Sequence, residues 1–300
     1  MKSIHVMMAA MVLVLSASCT SEQFEEVSNP EVSVAEMAPV TVSVNGFSLS
    51  QESFARTRAT SVSDYSSIKA LTLAFYKSDT GEEVYKHTQQ RDVPTTYTTF
   101  GEFSTSLSIG SYKMVVVANG GSNTVTLTSP TSATYGEGRV RDTFAATQSV
   151  NITNSSANNL SATLDRVVSA LGVAPTDSRP ESVTKMRLTY SAGGKSFSPT
   201  SGLATSNSGF VDVIQLSGYE TEVTYFGSYL FLSADNQTMN VTIETLDADN
   251  NVLFTKTIND VPFLRNRVTK LTGAIYSTAS VSASSFLVNT DWMTANEINF

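Results

Sequence analysis

Cysteine is almost absent from this 300-residue chain, which contains only Cys19. A single thiol cannot form an intrachain disulfide, so the burial of apolar side chains must hold each domain together. Histidine occurs only at His5 and His87, which excludes a histidine-rich metal site. A serine–histidine–aspartate catalytic arrangement would depend on His87, and the alternating pattern around His87 predicts a solvent-facing residue on a strand.

Charge is also scarce, since charged residues make up 15% of the chain and the formal net charge is −8. Because a phosphate backbone repels an acidic, charge-poor protein, this composition argues against a nucleic-acid partner. Long periodic runs of Leu, Ala, Glu and Lys are missing, whereas Ser, Thr, Val and Tyr are abundant. The composition therefore favours strands over helices.

The first residues predict a secretory signal over residues 1–18 with a lipoprotein cleavage site. Lys2 precedes an apolar stretch, and small residues then lead to Cys19. Bacterial lipoproteins usually carry leucine three residues before the cysteine, whereas Leu15 lies four before it. The apolar stretch is shorter than the ~20 residues that span a bilayer. We therefore expect the mature chain to start at Cys19 and to be tethered by acyl chains such as palmitate, the alternative being a small apolar role for this cysteine.

A candidate strand follows the signal. Residues 19–38 are polar and acidic, and we expect them to form a flexible, lipidated leader. A pattern of period two then predicts a strand with one apolar face. The apolar residues of this pattern are Val40, Val42 and Val44, with Phe47 and Leu49 continuing the face. Residues 50–67 show no apolar periodicity and are expected to form an exposed loop.

The rest of the chain consists of short apolar stretches separated by turn sequences, which is typical of antiparallel strands. Turn sequences of this kind are Ser78-Asp79-Thr80-Gly81, Asn119-Gly120-Gly121 and Ala192-Gly193-Gly194. Residues 154–159 are the most turn-rich stretch in the middle, and residues 160–173 are expected to form one long strand. We predict an all-β fold of two tandem antiparallel β-sandwiches, at residues 39–157 and 158–300.

Three motifs resemble one known family when they are taken in order. They are Leu107–Asn119, which ends in Ala-Asn; Leu164–Ser169, of the form Leu-x-Arg-x-Val; and Pro262–Gly273, which contains Arg265-Asn266. Together they resemble the fimbrillins, the type V pilus proteins of Bacteroidetes, over the whole mature chain. The lipoprotein start, the acidic residues after Cys19 and the Thr57-Arg58-Ala59 loop match as well. Each motif also has a purely structural interpretation, Arg166 for example lying on a solvent face or pairing with a carboxylate.

The resemblance implies transthyretin-like, Greek-key sandwiches and a structural role in a fimbria that supports adhesion at the outer membrane and cell surface. It implies that an N-terminal strand fills a groove until an arginine-specific, trypsin-like protease cuts the loop after it. A C-terminal strand from a neighbouring subunit then fills the groove. The implied partners are other fimbrial subunits, this protease, the outer membrane through the lipid anchor before processing, and a host protein or glycan.

The sequence offers residues for each step that the resemblance implies. Val40, Val42 and Val44 would form the released strand. Arg58–Ala59 is the preferred scissile bond and Arg56 is the second candidate, the alternative being a basic loop that is never cut. The candidate donor strand contains Val281, Ala283, Phe286 and Val288. The same segment equally predicts the last strand of the second domain.

Two further functions compete with a pilus subunit. A surface glycan-binding lipoprotein would need exposed aromatic platforms. The candidates for such platforms are Trp292, Tyr219, Tyr225 and Tyr229. An enzyme is the other alternative, and residues 247–251 carry oxygens suited to calcium. They lie between two predicted strands and lack the full spacing of a helix-loop-helix calcium site, so a plain hairpin turn explains them better. No acid/base pair stands out, so we expect no enzymatic activity, no cofactor and no metal site.

Overall fold

The computed structural model describes residues 36–48, 62, 65–121, 125–154, 157–216, 226–277 and 287–289. Nearly all regular structure in these residues is β-strand. The strands of the first part are β1 (Met37–Ser48), β2 (Ile68–Lys77), β3 (Glu83–Gln90), β4 (Glu102–Ser108), β5 (Gly110–Gly120), β6 (Thr126–Ser129), β7 (Ser132–Thr134), β8 (Thr143–Ile152) and β9 (Asn158–Arg166), with one 3₁₀ turn at Pro94–Thr96. The later strands are β10 (Ser169–Pro175), β11 (Lys185–Tyr190), β12 (Ser196–Phe197), β13 (Phe210–Gln215), β14 (Phe226–Leu230), β15 (Asn236–Leu246), β16 (Val252–Leu264), β17 (Val268–Gly273) and β18 (Leu287–Asn289).

Seven of the first nine strands build a sandwich from one sheet of order β3-β2-β5-β8-β9-β1-β4. Strands β8 and β9 pair only at Phe144–Arg166 and Ala145–Asp165. The sheet therefore turns a corner there and forms two layers, β3-β2-β5-β8 and β9-β1-β4. Apolar side chains from both layers pack into a single core. Strands β4 and β9 contribute alternate residues to it, whereas β2 and β5 are buried along both faces.

The later strands repeat the same topology. One layer has the order β14-β10-β17 and the other β13-β11-β15-β16. In each sandwich the first strand pairs in parallel with a strand from the end of that half, β1 with β9 and β10 with β17, whereas the other pairs are antiparallel. The all-β fold of tandem sandwiches predicted from the sequence is confirmed, with these two parallel pairs as a departure from purely antiparallel sheets. Strand β18 adds to the outer side of β17.

The polar stretch at residues 154–159 falls where β8 has ended, at Ile152, and β9 begins, at Asn158, and both strands belong to the first sheet. The first sheet thus extends to Arg166, past the boundary expected at residue 157. The long strand expected over residues 160–173 is divided into β9 and β10 at residues 167–168. The second set of strands therefore follows directly on the first.

A third core joins the two sandwiches. Strand β12 of the later half pairs with β7 of the earlier half in a small sheet of order β12-β7-β6. Side chains from both halves pack together there, including Tyr135 of the first half, whose ring stacks on that of Phe231 of the second half with centroids 6.2 Å apart. Arg139 in the first half also forms a two-bonded ion pair with the buried Asp212 of β13, at 2.7 and 2.9 Å. The described residues from Glu36 onward accordingly form one compact unit.

A buried glutamine ties the two outer strands of the first sheet, β3 and β4. The Gln89 Nε2 donates to the Glu102 carbonyl at 2.6 Å, and its Oε1 accepts from the Gly101 amide at 2.8 Å. Gln89 is almost wholly shielded from solvent. Its side chain therefore takes the place of ladder bonds along this side of the sandwich.

Replacing Gln89 with leucine is expected to lower the free energy of unfolding by about 1–3 kcal/mol, because the Gly101 amide and the Glu102 carbonyl lose their partner. The neighbouring Gln90 is exposed, so Gln90→Leu should change stability by less than about 0.5 kcal/mol. Urea unfolding followed by tryptophan and tyrosine fluorescence measures both variants. Equal midpoints for the two variants would contradict a closing role for Gln89.

Candidate functional site: the N-terminal strand and its groove

The predicted N-terminal strand lies in the middle of a layer, as β1. It pairs antiparallel with β4 from Met37–Ser108 to Ser43–Glu102. On its other side it pairs in parallel with β9 from Val40–Asn158 to Ser48–Asp165. Both backbone edges of β1 are therefore used, and removal of β1 would expose the edges of β4 and β9.

The inward face of β1 is fully apolar and buried. Its inward side chains are those of Ala38, Val40, Val42, Val44 and Phe47, each at most 5% exposed. The outward residues Thr41 and Ser43 bond to polar neighbours, Asn159 at 2.6 Å and Glu102 at 2.7 Å. Val40, Val42 and Val44 thus form one buried face, as their spacing predicted. This face packs into the core of the first sandwich, so β1 fills an apolar groove along its length.

A β-bulge between Val44 and Gly46 shifts the register of β1 and keeps Phe47 directed inward. The Phe47 ring packs 4.7 Å from the Phe144 ring and 5.3 Å from the Tyr65 ring, measured between centroids. Tyr65 and Phe144 meet edge to face at 5.7 Å. We call the space that these two rings form around Phe47 the Phe47 pocket.

A buried ion pair supports the Phe47 pocket from behind. Arg166 Nε and Nη2 donate to the two oxygens of Asp142 at 2.7 and 2.9 Å, and Nη2 also donates to the Tyr65 hydroxyl at 2.6 Å. The Arg166 guanidinium lies 4.7 Å over the Phe144 ring. Burial, followed by the charge of Asp142, raises the pKa of Tyr65 to about 12, so its hydroxyl stays protonated and donates to Asp142 at 3.2 Å.

Two of the sequence motifs meet at this ion pair. Arg166 Nη1 donates to the Asn266 side-chain oxygen at 3.3 Å, although the two residues are 100 positions apart. Asn266 has a φ of 57°, a conformation that asparagine tolerates better than most residues, and its amide donates to the Val168 carbonyl. The sequence allowed Arg166 either to lie on a solvent face or to pair with a carboxylate, and the structure shows it paired with Asp142.

The segment that joins β1 to β2 contains the predicted processing site. Arg56, Arg58 and Ala59 lie outside the described residues, so cleavage there stays a prediction. The expectation of an exposed loop up to residue 67 is wrong at Val62 and Tyr65, because both side chains are buried in the core.

Arg91 holds the chain in place just after the processing segment. Its guanidinium donates to the carbonyls of Val62 and Ile68 at 2.8 Å and to that of Tyr65 at 3.4 Å. The same guanidinium lies 4.1 Å over the Phe100 ring. The backbone that follows the candidate scissile bond is therefore anchored independently of β1.

The candidate donor segment is only partly described. Val281, Ala283 and Phe286 lie outside the described residues, as does Cys19. Val288 belongs to β18, where it pairs with Leu271 of β17 over a three-residue ladder. Asp177 fixes the point from which the C-terminal segment departs, because its carboxylate accepts from the amides of Ile275 and Tyr276 at 2.9 and 2.8 Å. Use of this segment by a neighbouring subunit stays a prediction.

Other sequence candidates fall into structural roles. The Asp247 carboxylate accepts from the amides of Asp249 and Asn251 at 2.9 and 2.8 Å, so residues 247–251 form the hairpin turn between β15 and β16. Tyr229 is buried and offers no exposed platform, whereas Tyr219, Tyr225 and Trp292 lie outside the described residues. Within the described ranges, no group of three His, Cys, Asp or Glu residues gathers around a common point.

The solvent-facing position expected for His87 is wrong. Its Nε2 lies 2.7 Å from the Thr96 carbonyl, and its ring meets Phe103 edge to face at 6.2 Å. The 3₁₀ turn after β3 covers this histidine, which the local sequence pattern does not reveal. None of the helical residues that the structure describes forms a segment long and apolar enough to cross a membrane.

Comparison with known proteins gives the family. Residues 34–291 match the family model described as a family of unknown function, DUF6562. The chain belongs to this family. Among curated proteins, none matches this DUF6562 member.

Several solved structures are similar to this chain. A candidate adhesin from Bacteroides ovatus matches with a TM-score of 0.51 and 11% identity, over 86% of this chain and 97% of that chain. A candidate polysaccharide-binding protein (DUF1812) from Bacteroides thetaiotaomicron matches with a TM-score of 0.49 and 11% identity, over 87% and 99%. The tip fimbrial protein Mfa3 of Porphyromonas gingivalis matches with a TM-score of 0.40 and 13% identity, over 86% and 100%. At such identities the first of these matches establishes the fold alone.

Proposed function

We propose that this DUF6562 member is a structural subunit of a cell-surface fimbria that supports adhesion to a host protein or glycan. It is exported to the outer membrane as a lipoprotein acylated on Cys19, and it assembles when an arginine-specific protease cuts at Arg58–Ala59 or after Arg56. The proposal gives the chain no catalytic role and no cofactor. The observation that carries it is β1, a buried central strand that only one candidate loop joins to the rest of the first sandwich.

The burial of β1 is large enough to control assembly. Its four larger inward side chains contribute about 1.5–3 kcal/mol each, or about 6–12 kcal/mol in gross terms, before the ordering of the strand is subtracted. Spontaneous release of β1 should therefore be slow. Once β1 is cut from the chain, it can leave permanently, and the apolar groove with two unpaired edges favours the addition of another strand.

The corresponding strand of the second sandwich cannot be released in this way. Strand β10 occupies the same place in its sandwich as β1, between an antiparallel and a parallel neighbour. However, β10 follows β9 directly through Val167 and Val168, both of which are buried. A single cut can thus free β1, whereas β10 has covalent connections on both sides.

The C-terminal segment repeats the sequence pattern of β1. The apolar positions of the first pattern are Val40, Val42, Val44, Phe47 and Leu49, and those of the second are Ala279, Val281, Ala283, Phe286 and Val288. In both patterns small apolar residues alternate with serine or threonine, and two further residues then separate the last of them from a phenylalanine. This match supports residues 279–289 of a second copy as the strand that replaces β1, in the same direction and register.

Protease treatment of the purified protein tests the proposal. Incubation with an arginine-specific protease is expected to convert monomers into a ladder of larger oligomers on size-exclusion chromatography with light scattering. Mass spectrometry of fimbriae from intact cells should find subunits that begin at Ala59 or at Thr57. Cleaved protein that stays monomeric, or fimbriae whose subunits begin at Cys19, would overturn it.

A further inference from the structure

We propose that the Phe47 pocket is a selective binding site for a phenylalanine side chain of the incoming strand, and that Phe286 of a second copy is its occupant. This inference rests on the proposed function. It adds that one aromatic side chain fixes the register and the strength of strand exchange, rather than the apolar face as a whole.

The walls of the pocket are fixed without help from β1. Phe144 belongs to β8, and its ring is covered by the Arg166 guanidinium at 4.7 Å. Tyr65 is held through its hydroxyl by Arg166 and through its backbone by Arg91. Each of these residues lies after the candidate scissile bond, so cleavage leaves the pocket attached to the processed subunit with its rings 5.7 Å apart.

The rest of the groove is much less selective. Apart from Phe47, the inward positions of β1 hold only alanine and valine. At the matching positions the C-terminal segment has Ala279 and Ala283 where β1 has valines, whereas phenylalanine is retained in Phe286. Within residues 279–289, which match β1, Phe286 is therefore the side chain with the largest apolar surface, and the pocket is the part of the groove that it fills best.

Spacing selects this residue among the aromatics of the segment. Phe286 lies three positions after Ala283, just as Phe47 lies three positions after Val44, across the β-bulge. Trp292 falls beyond the end of the pattern that matches β1. A strand in the β1 register therefore brings Phe286, and not Trp292, between Tyr65 and Phe144.

Peptide binding to the full-length protein tests the inference. A fluorescent peptide of residues 277–294 is added to protein that has been cut by an arginine-specific protease and freed of β1 in mild denaturant, and binding is followed by anisotropy. Phe286→Ala in the peptide is expected to weaken binding about 100-fold, whereas Trp292→Ala should leave it unchanged. A peptide of residues 36–49 serves as the reference ligand, with Phe47→Ala expected to cause a similar loss.

The outcomes separate the pocket from the proposed function. If the 277–294 peptide binds and Phe286→Ala binds equally well, the pocket is not an anchor, and strand exchange still stands. If the 277–294 peptide does not bind while the 36–49 peptide does, the assignment of the C-terminal segment fails in both proposals. Equal losses for Phe286→Ala and Trp292→Ala would also overturn the pocket, because they would indicate general hydrophobic contact.

Discussion

The Arg56→Ala, Arg58→Ala double variant is expected to stay monomeric after incubation with an arginine-specific protease, under conditions in which the unchanged protein forms oligomers. The segment between β1 and Val62 contains no other arginine and no lysine, so the variant removes every basic cleavage site there. Because β1 then remains covalently attached, it keeps its place between β4 and β9. Light scattering after chromatography measures the difference, which should be close to all or none.

A charge-preserving control separates cleavage from any other role of the two arginines. The Arg56→Lys, Arg58→Lys variant keeps both positive charges. It should assemble after trypsin, which cuts after lysine, but not after the arginine-specific protease. Assembly of the alanine variant with either enzyme would show that strand exchange does not depend on this loop.

Asp142→Ala is expected to produce the largest loss of stability among single substitutions at the site, about 3–5 kcal/mol in the free energy of unfolding. The substitution removes the carboxylate that pairs with Arg166, whose side chain is only 2% exposed. It also removes a hydrogen-bond acceptor of Tyr65. Urea unfolding monitored by circular dichroism measures the loss as a lower midpoint.

Two comparisons make the Asp142 result specific. Glu82→Ala breaks the Lys77–Glu82 pair, which has the same 2.7 Å distance but is exposed to water, and the midpoint should not move. An Asp142→Leu, Arg166→Met double variant should recover much of the stability, because neither charge is then buried. A midpoint for Asp142→Ala that equals that of Glu82→Ala would show that the buried pair contributes nothing.

Local patterns predicted most of the fold but few of the contacts at the site. The alternation of Val40, Val42 and Val44 is a property of adjacent residues, and it identified β1 and its buried face directly. By contrast, Arg166 finds its partners 24 and 100 positions away, in Asp142 and Asn266, and no local spacing encodes such distances. The sequence motifs around Arg166 and Asn266 could be recognised, although the reason for their co-occurrence is visible only in three dimensions.

The remaining differences have a similar origin. His87 follows a polar and apolar alternation, but the turn at Pro94–Thr96 folds back over it. Val62 and Tyr65 interrupt a polar stretch without periodicity. Their backbone carbonyls accept hydrogen bonds from Arg91, which follows the end of β3, so a residue distant in the sequence holds them in place. The parallel pairing of β1 with β9 joins residues more than 100 positions apart, so it depends on the tertiary fold and not on turn chemistry.

The difference between β1 and β10 sets the geometry of any polymer that forms in this way. Each processed subunit has one empty strand position, left by β1, because β10 cannot leave its sandwich. Each subunit also has one C-terminal segment that can fill the empty position of a neighbour. Such head-to-tail contacts are heterologous, and they extend indefinitely unless the rotation between neighbours closes a ring. The resulting fibre is unbranched and has two chemically distinct ends. The subunit at one end can only accept a strand, and the subunit at the other end can only donate one.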